Sequence, residues 1–370
     1  MKGLIIVGTL KDGGVQKIMY DYVSRIHEDI DFEFMTYDPE PGIFGGKLEA
    51  LGIPYHFVTP TSKGFTKHKE ELMNVYKNGQ YDFVHDNGGY RSYFNLKYAK
   101  QCGIKTRIAH AHVCHLPENS IQLLERKLFT FLTKRVATNL YGCSNEAGRW
   151  TWGEKDYRNG KVHTQNNAIE VNRYLFNAEK RAEIKKQLGI EDKFVIGHIG
   201  RFTYQKNHEF LIKSFEAYHK NVNQDAVLML MGTGELEEET KQLVSDLGLD
   251  DCVMFLGMRK DANDLLNAMD LFVLPSRYEG FAIVLFEAET NGLPCITNAD
   301  IGADEANILG RIKYVKKNDF EEWQKALANH GERIGNVDLN RIIEAGFDID
   351  TNAERQKNIY IETVKRNNGK

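Results

Sequence analysis

The sequence predicts an α/β protein made of two doubly wound domains, each built on a parallel sheet. Short runs rich in β-branched and aromatic residues alternate with longer amphipathic stretches, the pattern of βαβ units. The alternation runs twice, with a polar stretch at 172–185 between the two series. The length of 370 residues is about twice a typical domain. With 42% hydrophobic and 27% charged residues, the composition is that of a globular protein and excludes a disordered chain, a collagen-like chain or a disulfide scaffold.

In the first series the strands are expected at 3–7, 32–36, 55–58, 82–85, 106–111, 137–141 and 162–165. A helix opening at Gly13-Gly14 carries Ile18, Met19, Tyr22, Val23 and Ile26 at helical spacing. The second series places strands at 194–199, 226–231, 253–256, 271–274, 294–297 and 312–315. Domains are therefore expected at 1–173 and 174–350, leaving 351–370 as a C-terminal helical stretch. No run approaches the roughly 18 apolar residues of a membrane-spanning helix. The N-terminal apolar run is too short for a signal peptide. Cys102, Cys114, Cys143, Cys252 and Cys295 form no CxxC pair, which fits a reducing, cytoplasmic setting.

The net charge of −4 conceals an asymmetry. Residues 1–173 carry 23 Lys and Arg against 19 Asp and Glu, whereas the remainder carries 25 against 33. Nine basic residues and only two acidic ones fall in 89–135. Such a patch points to an anionic partner: phosphate groups, a membrane surface or nucleic acid.

In open α/β sheets, ligands gather beyond the carboxyl ends of strands, where glycine turns expose helix N-termini. The run Gly8-Thr9-Leu10-Lys11-Asp12-Gly13-Gly14-Val15 follows the first predicted strand. Adjacent glycines there let backbone N–H groups approach an anion, although the run is neither GxGxxG nor a P-loop; a plain tight turn explains it equally. His110-Ala111-His112 ends another predicted strand, with Cys114 and His115 beyond. Residues two apart share a face, which suits a metal pair, a group facing substrate, or packed histidines. No second cluster with ligand spacing accompanies them, so the substrate-facing reading is favoured.

Gly200-Arg201-Phe202-Thr203-Tyr204-Gln205-Lys206-Asn207 also follows a predicted strand. Two cations in one strand-end loop suit a diphosphate; a solvated loop is the plainer alternative. In Glu279-Gly280-Phe281-Ala282-Ile283-Val284-Leu285-Phe286-Glu287 two carboxylates bracket an apolar run. A helix opening at Gly280 would place Glu287 about two turns in and Glu279 at the positive end. A carboxylate in a buried helix needs a hydrogen-bonding task. The pair also reads as a glycosidase dyad, but the loop cations favour a phosphorylated substrate. Gly232-Thr233-Gly234 is a further, weaker phosphate turn.

Together these features resemble the family-4 glycosyltransferases, retaining enzymes of the GT-B fold, with two facing Rossmann-like domains and a cleft between them. The most specific match runs from Pro275-Ser276 through Glu279 and Glu287 to Gly292-Leu293-Pro294; Gly200-Arg201 with Lys206-Asn207 is the second and Gly13-Gly14 the third. Arg107-Ile108-Ala109-His110-Ala111-His112 and Asn167-Ala168-Ile169 further resemble the branch that builds bacterial capsule and exopolysaccharide. The resemblance implies that Arg201 and Lys206 contact the donor diphosphate, helped by Gly200 and the amides after Gly13 and Gly14. It assigns Glu287 to the ribose hydroxyls, Glu279 to a hydroxyl of the transferred sugar, and the backbone near Met258 and Arg259 to the base. Gly280, Phe281 and Ala282 are further donor contacts, and His112 is the sugar-facing histidine. The usual Gly-Gly-x-x-Glu turn reads Ile301-Gly302-Ala303-Asp304-Glu305 here, a departure that bears on Glu305.

The implied mechanism is retention without a protein nucleophile. The acceptor attacks the face from which the diphosphate departs, and domain closure excludes water. The resemblance implies no cofactor and no divalent metal; Asp82 and Asp86 are not spaced as a DxD pair. Its expected partners are a nucleotide-sugar, a UDP-sugar before others, and a glycan or polyprenyl-diphosphate-linked acceptor. The stretch 119–139 sets Leu123, Leu124, Leu128, Phe129, Phe131 and Leu132 beside Arg126, Lys127, Lys134 and Arg135. It reads as a basic amphipathic helix for an anionic membrane surface, which would make the protein peripheral on the inner face of the cell membrane. An ordinary half-buried helix is the alternative. The C-terminal helix is implied to pack back on the first domain.

Other readings stand beside this one, among them a pyridoxal-phosphate-dependent phosphorylase, which would need a dedicated Schiff-base lysine and a far longer chain. A UDP-sugar 2-epimerase of the same fold lacks an acceptor, and the Glu279–Glu287 spacing argues for transfer. A non-catalytic nucleotide-sugar-binding subunit is expected to lose a cation or a glutamate, yet both pairs are present. Nucleic-acid binding leaves the acidic second half and the strand-end loops unexplained.

Overall fold

A computed structural model describes residues 1–11, 13–114, 119–302 and 304–369. The chain forms two compact units, Met1–Ala168 with Gly346–Lys370, and Ile169–Ala345. The boundaries therefore fall at 168/169 and 345/346 instead of 173/174 and 350/351. The 3₁₀ turn Val171–Tyr174 is already fastened into the second unit, where Asn291 Nδ2 donates to the Tyr174 carbonyl at 2.8 Å. At the other end, the Gly346 carbonyl accepts from Asn352 Nδ2 of the first unit at 2.9 Å.

The first unit contains β1 (Lys2–Ile6), β2 (Asp31–Thr36), β3 (Tyr55–Phe57), β4 (Phe83–Asp86), β5 (Thr106–Ala111), β6 (Asn139–Gly142) and β7 (Val162–Thr164). They form one parallel sheet in the order β3-β2-β1-β4-β5-β6-β7. The strand order reverses between β1 and β4, the switch point at which such sheets open a crevice. Helix α1 (Gly14–Ile26) buries Ile18, Met19, Tyr22, Val23 and Ile26, the apolar stripe visible in the sequence. Helix α2 (Ser120–Val136) starts from a capping box in which Asn119 accepts from Gln122 N while Gln122 Oε1 accepts from Asn119 N.

The C-terminal helix, Ile349–Asn367, packs on α1 within this unit. Tyr360 lies flat on Phe83, ring centroids 4.7 Å apart, and edge-on to Phe32 at 6.3 Å. Lys357 pairs with Asp29 at 2.9 Å, and Arg25 with Asp350. Gly3 is required here because a Cβ would stand 2.1 Å from the Phe83 ring.

The second unit contains β8 (Phe194–Ile199), β9 (Ala226–Met231), β10 (Val253–Phe255), β11 (Leu271–Leu274), β12 (Cys295–Asn298) and β13 (Ile312–Val315). They are parallel, in the order β10-β9-β8-β11-β12-β13, so the switch point lies between β8 and β11. Strands β9 and β11 are buried along their whole length, as expected of a sheet covered on both faces. Helix α3 (His208–Asn221) contributes Leu211, Ile212, Phe215 and Tyr218 to the core, and α4 (Ile283–Thr290) buries six of its eight residues.

Strand limits differ from expectation by one or two residues. Strand β6 starts at Asn139, since Ala137 closes α2 in an extended conformation. Strand β12 starts at Cys295, since Pro294 has no N–H to give a ladder and only its carbonyl pairs, with Phe272 N at 3.0 Å.

Candidate active site

The loops leaving β8 and β11 are fastened to each other at the second switch point. Arg277 N donates to the Gln205 carbonyl at 2.8 Å, and Gln205 Nε2 to the Tyr278 carbonyl at 3.0 Å. The Arg277 guanidinium reaches Asn207 Oδ1 at 2.6 Å and lies over the Tyr204 ring. This brings Lys206 Nζ to 2.7 Å from Glu279 Oε1, with side chains only 16% and 8% exposed. Gln205 Nε2 also donates to Glu279 Oε2 at 3.2 Å. Arg201, on the same loop as Lys206, is exposed and has no ion pair among the described residues. Gln205 and Arg277 brace this loop, and nothing in the sequence singled them out.

Glycine is needed where this loop is crowded. A Cβ on Gly200 would meet His198 Nε2 at 2.9 Å and Lys206 Cδ at 3.1 Å. Gly232, at φ +137°, would bring a Cβ within 2.1 Å of the Gly200 carbonyl, and Gly234 within 2.4 Å of that of Phe202. Gly232-Thr233-Gly234 is therefore a backbone platform under residues 200–202, held by Gly200 N to the Met231 carbonyl at 2.9 Å and Phe202 N to that of Thr233 at 3.1 Å. Beneath the loop sit His198 and His208. His198 Nδ1 donates to the Val273 carbonyl at 2.9 Å, whereas its Nε2 and both nitrogens of His208 have no hydrogen-bond partner among the described residues. Burial pushes His198 down to about 4 and His208 to about 2.

Helix α4 corrects the expected register. It starts at Ile283, not Gly280, because Ala282 holds a non-helical ψ of 71°, so Glu287 lies one turn in instead of two. Glu287 is half-buried, and Tyr174 donates to its Oε1 at 2.7 Å. The fully buried carboxylate is Glu289, which accepts from Ile308 N and Arg311 N at 2.8 Å each. Burial raises its pKa. Gly280 is half-buried, and Phe281 and Ala282 are buried. Met258 and Arg259 are exposed after β10, with Arg259 in a two-point pair to Asp261 at 2.8 and 2.6 Å. In the Ile301–Glu305 run, Ala303 lies outside the described residues.

In the first unit, Gly13 caps α1 in an extended conformation, and the first turn has neither a side-chain cap nor an acid. Gly14 is exposed with open space around it; Asp12 lies outside the described residues. At the end of β5, the rings of His110 and His112 lie 4.0 Å apart between centroids, tilted by 39°, but their roles divide. His110 is fully buried, its Nδ1 3.0 Å from His85 Nε2, while His85 Nδ1 is 2.7 Å from the Tyr360 hydroxyl. His112 is half-buried, with Nε2 2.7 Å from Asn87 Oδ1. Burial pushes His85 and His112 down to about 3 and His110 well below its ordinary value, and raises Asp86 to about 6. No group of three potential ligands gathers among the described residues, and His115 lies outside them.

Helix α2 exposes an apolar stripe: Ile121 at 78%, Leu124 at 69%, and Leu128 and Phe131 at 52% each. Lys127 and Arg135 are exposed beside it. Arg126 lies over the Trp150 ring, Arg135 over that of Phe131, and Lys134 pairs with Asp156 at 2.8 Å, so these three cations are engaged within the unit. Leu123, Phe129 and Leu132 are half-buried. No helix among the described residues is long and apolar enough to cross a membrane.

The family model for glycosyl transferases group 1 matches residues 180–330, most of the second unit. The chain is 28% identical to the putative glycosyltransferase EpsF of Bacillus subtilis, over 98% of this chain and 97% of that one. It is 26% identical to an Escherichia coli UDP-Gal:alpha-D-GlcNAc-diphosphoundecaprenol alpha-1,3-galactosyltransferase, over 80% of each. Among solved structures, Anabaena HepE in complex with UDP and glucose superposes with a TM-score of 0.74 at 21% identity, covering 100% of this chain and 98% of that one.

Proposed function

We propose that this chain, whose residues 180–330 match the model for glycosyl transferases group 1 and which has the GT-B fold, transfers a sugar from a nucleotide-sugar, with retention, to a lipid-linked or glycan acceptor in bacterial surface polysaccharide synthesis. The observation that carries this reading is the meeting of Lys206 and Glu279 beside the exposed Arg201 at the second switch point. As the bond to the sugar breaks, negative charge gathers on the departing diphosphate. Two preorganised cations stabilise that charge, so no divalent metal and no cofactor enter the scheme. The acceptor hydroxyl attacks the anomeric carbon on the face the diphosphate leaves. The bond from that carbon to the diphosphate oxygen breaks, and the acceptor proton passes to the departing phosphate.

Glu279 binds a hydroxyl of the sugar and Glu287 the ribose hydroxyls. Gly200 and the backbone of Gly280, Phe281 and Ala282 contact the donor, and the backbone at Met258 and Arg259 meets the base. In the first unit, His112 faces the sugar and the amides after Gly13 and Gly14 contact phosphate. UDP is the preferred carrier, supported by the UDP bound to HepE and by the UDP-Gal of the E. coli relative. That relative's diphosphoundecaprenol-linked substrate supports a lipid-linked acceptor. Helix α2 suits attachment to an anionic inner leaflet, since its apolar stripe is exposed with Lys127 and Arg135 beside it. Absence of flotation with anionic vesicles would remove that part.

A thermal-shift screen of nucleoside diphosphates and their sugars in EDTA tests the donor site. At one hundred times its Kd, the right nucleotide adds about 2.7 kcal/mol of stability, and Glu287→Ala abolishes the gain. No shift with any nucleotide would sink the reading.

A further inference from the structure

We infer that Asn87 is a positioning residue that holds His112 as a neutral ring with its proton on Nε2, leaving Nδ1 to accept a hydrogen bond from a substrate hydroxyl. The substrate half of this inference rests on the sugar-facing role of His112.

The argument begins at the first switch point. Asn87 follows β4, and its Nδ2 donates to the carbonyl of Ile6, the last residue of β1, at 2.9 Å. A backbone carbonyl only accepts, so the nitrogen of the amide must be the atom facing it. The amide oxygen is thereby turned to His112, and Nε2 at 2.7 Å from it must carry the hydrogen. In a neutral imidazole the other nitrogen then holds a lone pair. Among the described residues Nδ1 of His112 has no hydrogen-bond partner, so the acceptor edge is available.

The surroundings keep the ring neutral. The His110 ring lies against it, and His110 is in turn joined to His85 and through it to Tyr360. His163 lies across Tyr141 from His110. Each of these histidines is itself disfavoured as a cation by burial. The nearest carboxylate in sequence, Asp86, is directed elsewhere, to Asn95 Nδ2 at 2.6 Å and Gly88 N at 2.8 Å. An amide at position 87 supplies an acceptor oxygen without the charge that would stabilise an imidazolium. His112 is therefore built as an acceptor, neither a cation for phosphate nor a proton donor at neutral pH.

The test is the ring Cδ2 and 15N chemical shifts of selectively labelled histidine in the full chain. His112 is assigned by its disappearance in His112→Gln. These shifts separate the two neutral tautomers and the imidazolium. The expected result is an Nε2–H tautomer that stays neutral from pH 8 to pH 5.5. In Asn87→Asp, of the same shape, His112 becomes doubly protonated within that range. The pH profile of kcat/KM then gains a limb that falls tenfold per pH unit on the acid side. An Nδ1–H tautomer or an imidazolium at pH 6.5 in the unaltered protein would overturn the assignment, and this readout stands even if Asn87→Asp does not fold. The Nε2–H tautomer combined with unchanged kcat/KM in His112→Gln would overturn the substrate half and leave the donor-site reading, tested with Glu287→Ala, untouched.

Discussion

Lys206 and Glu279, 73 residues apart in the chain, neutralise each other at 2.7 Å in a place where water barely reaches either. Removing one partner of such a pair strands a charge, at a cost of about 3–5 kcal/mol. Lys206→Met or Glu279→Leu alone is therefore expected to lower unfolding stability by that order. The double substitution should recover most of the loss while transfer stays abolished. Urea unfolding of the three variants beside a donor-turnover assay checks this; independent, additive losses would mean the contact is not a coupled pair.

Tyr174 directs Glu287 through a 2.7 Å hydrogen bond. If Glu287 holds the ribose, Tyr174→Phe should raise the KM for the nucleotide-sugar about tenfold, one hydrogen bond to a charged group being worth roughly 1.5 kcal/mol or more, with kcat little changed. Steady-state kinetics read the split, and a fall confined to kcat would contradict it.

Four histidines that burial holds neutral set a pH dependence of stability. His85, His112, His198 and His208 are held at about 3, 3, 4 and 2 in the folded protein, against roughly 6.5 when unfolded. The unfolded chain therefore binds more protons below pH 6.5. Stability is complete above that pH and declines as pH falls through it. Each histidine contributes a slope of up to about 1.4 kcal/mol per pH unit. Denaturation at pH 7.5, 6.5 and 5.5 should show the decline. His208→Phe, whose ring would still stack on Phe202, should flatten it without loss at neutral pH, since both nitrogens of His208 lack a hydrogen-bond partner among the described residues.

Gly232→Ala should be severe. The added methyl would stand 2.1 Å from the Gly200 carbonyl at a backbone φ of +137°, so the 200–202 backbone must shift. A loss of more than about 2 kcal/mol is expected from strain and overpacking together, accompanied by loss of donor binding. Gly14→Ala, with open space around it, is the comparison and should cost under about 1 kcal/mol.

The strands were legible because parallel sheets covered on both faces read as unbroken apolar runs, as in β9 and β11. The strand-mouth positions of Arg201, Lys206 and Glu279 were legible too, because each follows such a run at a glycine or proline. What the sequence hid is pairing across distance. Neither Tyr174 with Glu287, 113 residues on, nor Asn87 with His112, 25 residues on, leaves a local signal. The start of α4 is hidden in the sequence because Gly280, Phe281 and Ala282 continue the apolar run without continuing the helix. Helical rotation then turns Glu289, and not Glu287, into the core.

The return of residues 346–370 to the first unit orders events during synthesis. Residues 169–345 are contiguous and can close on themselves as soon as they leave the ribosome. The N-terminal unit, begun first, has to wait until Tyr360 arrives to cover Phe32, Phe83 and His85. A nascent chain halted between the two therefore carries a bare aromatic face on its earliest-made part, and that face is where a holding chaperone would be expected to act.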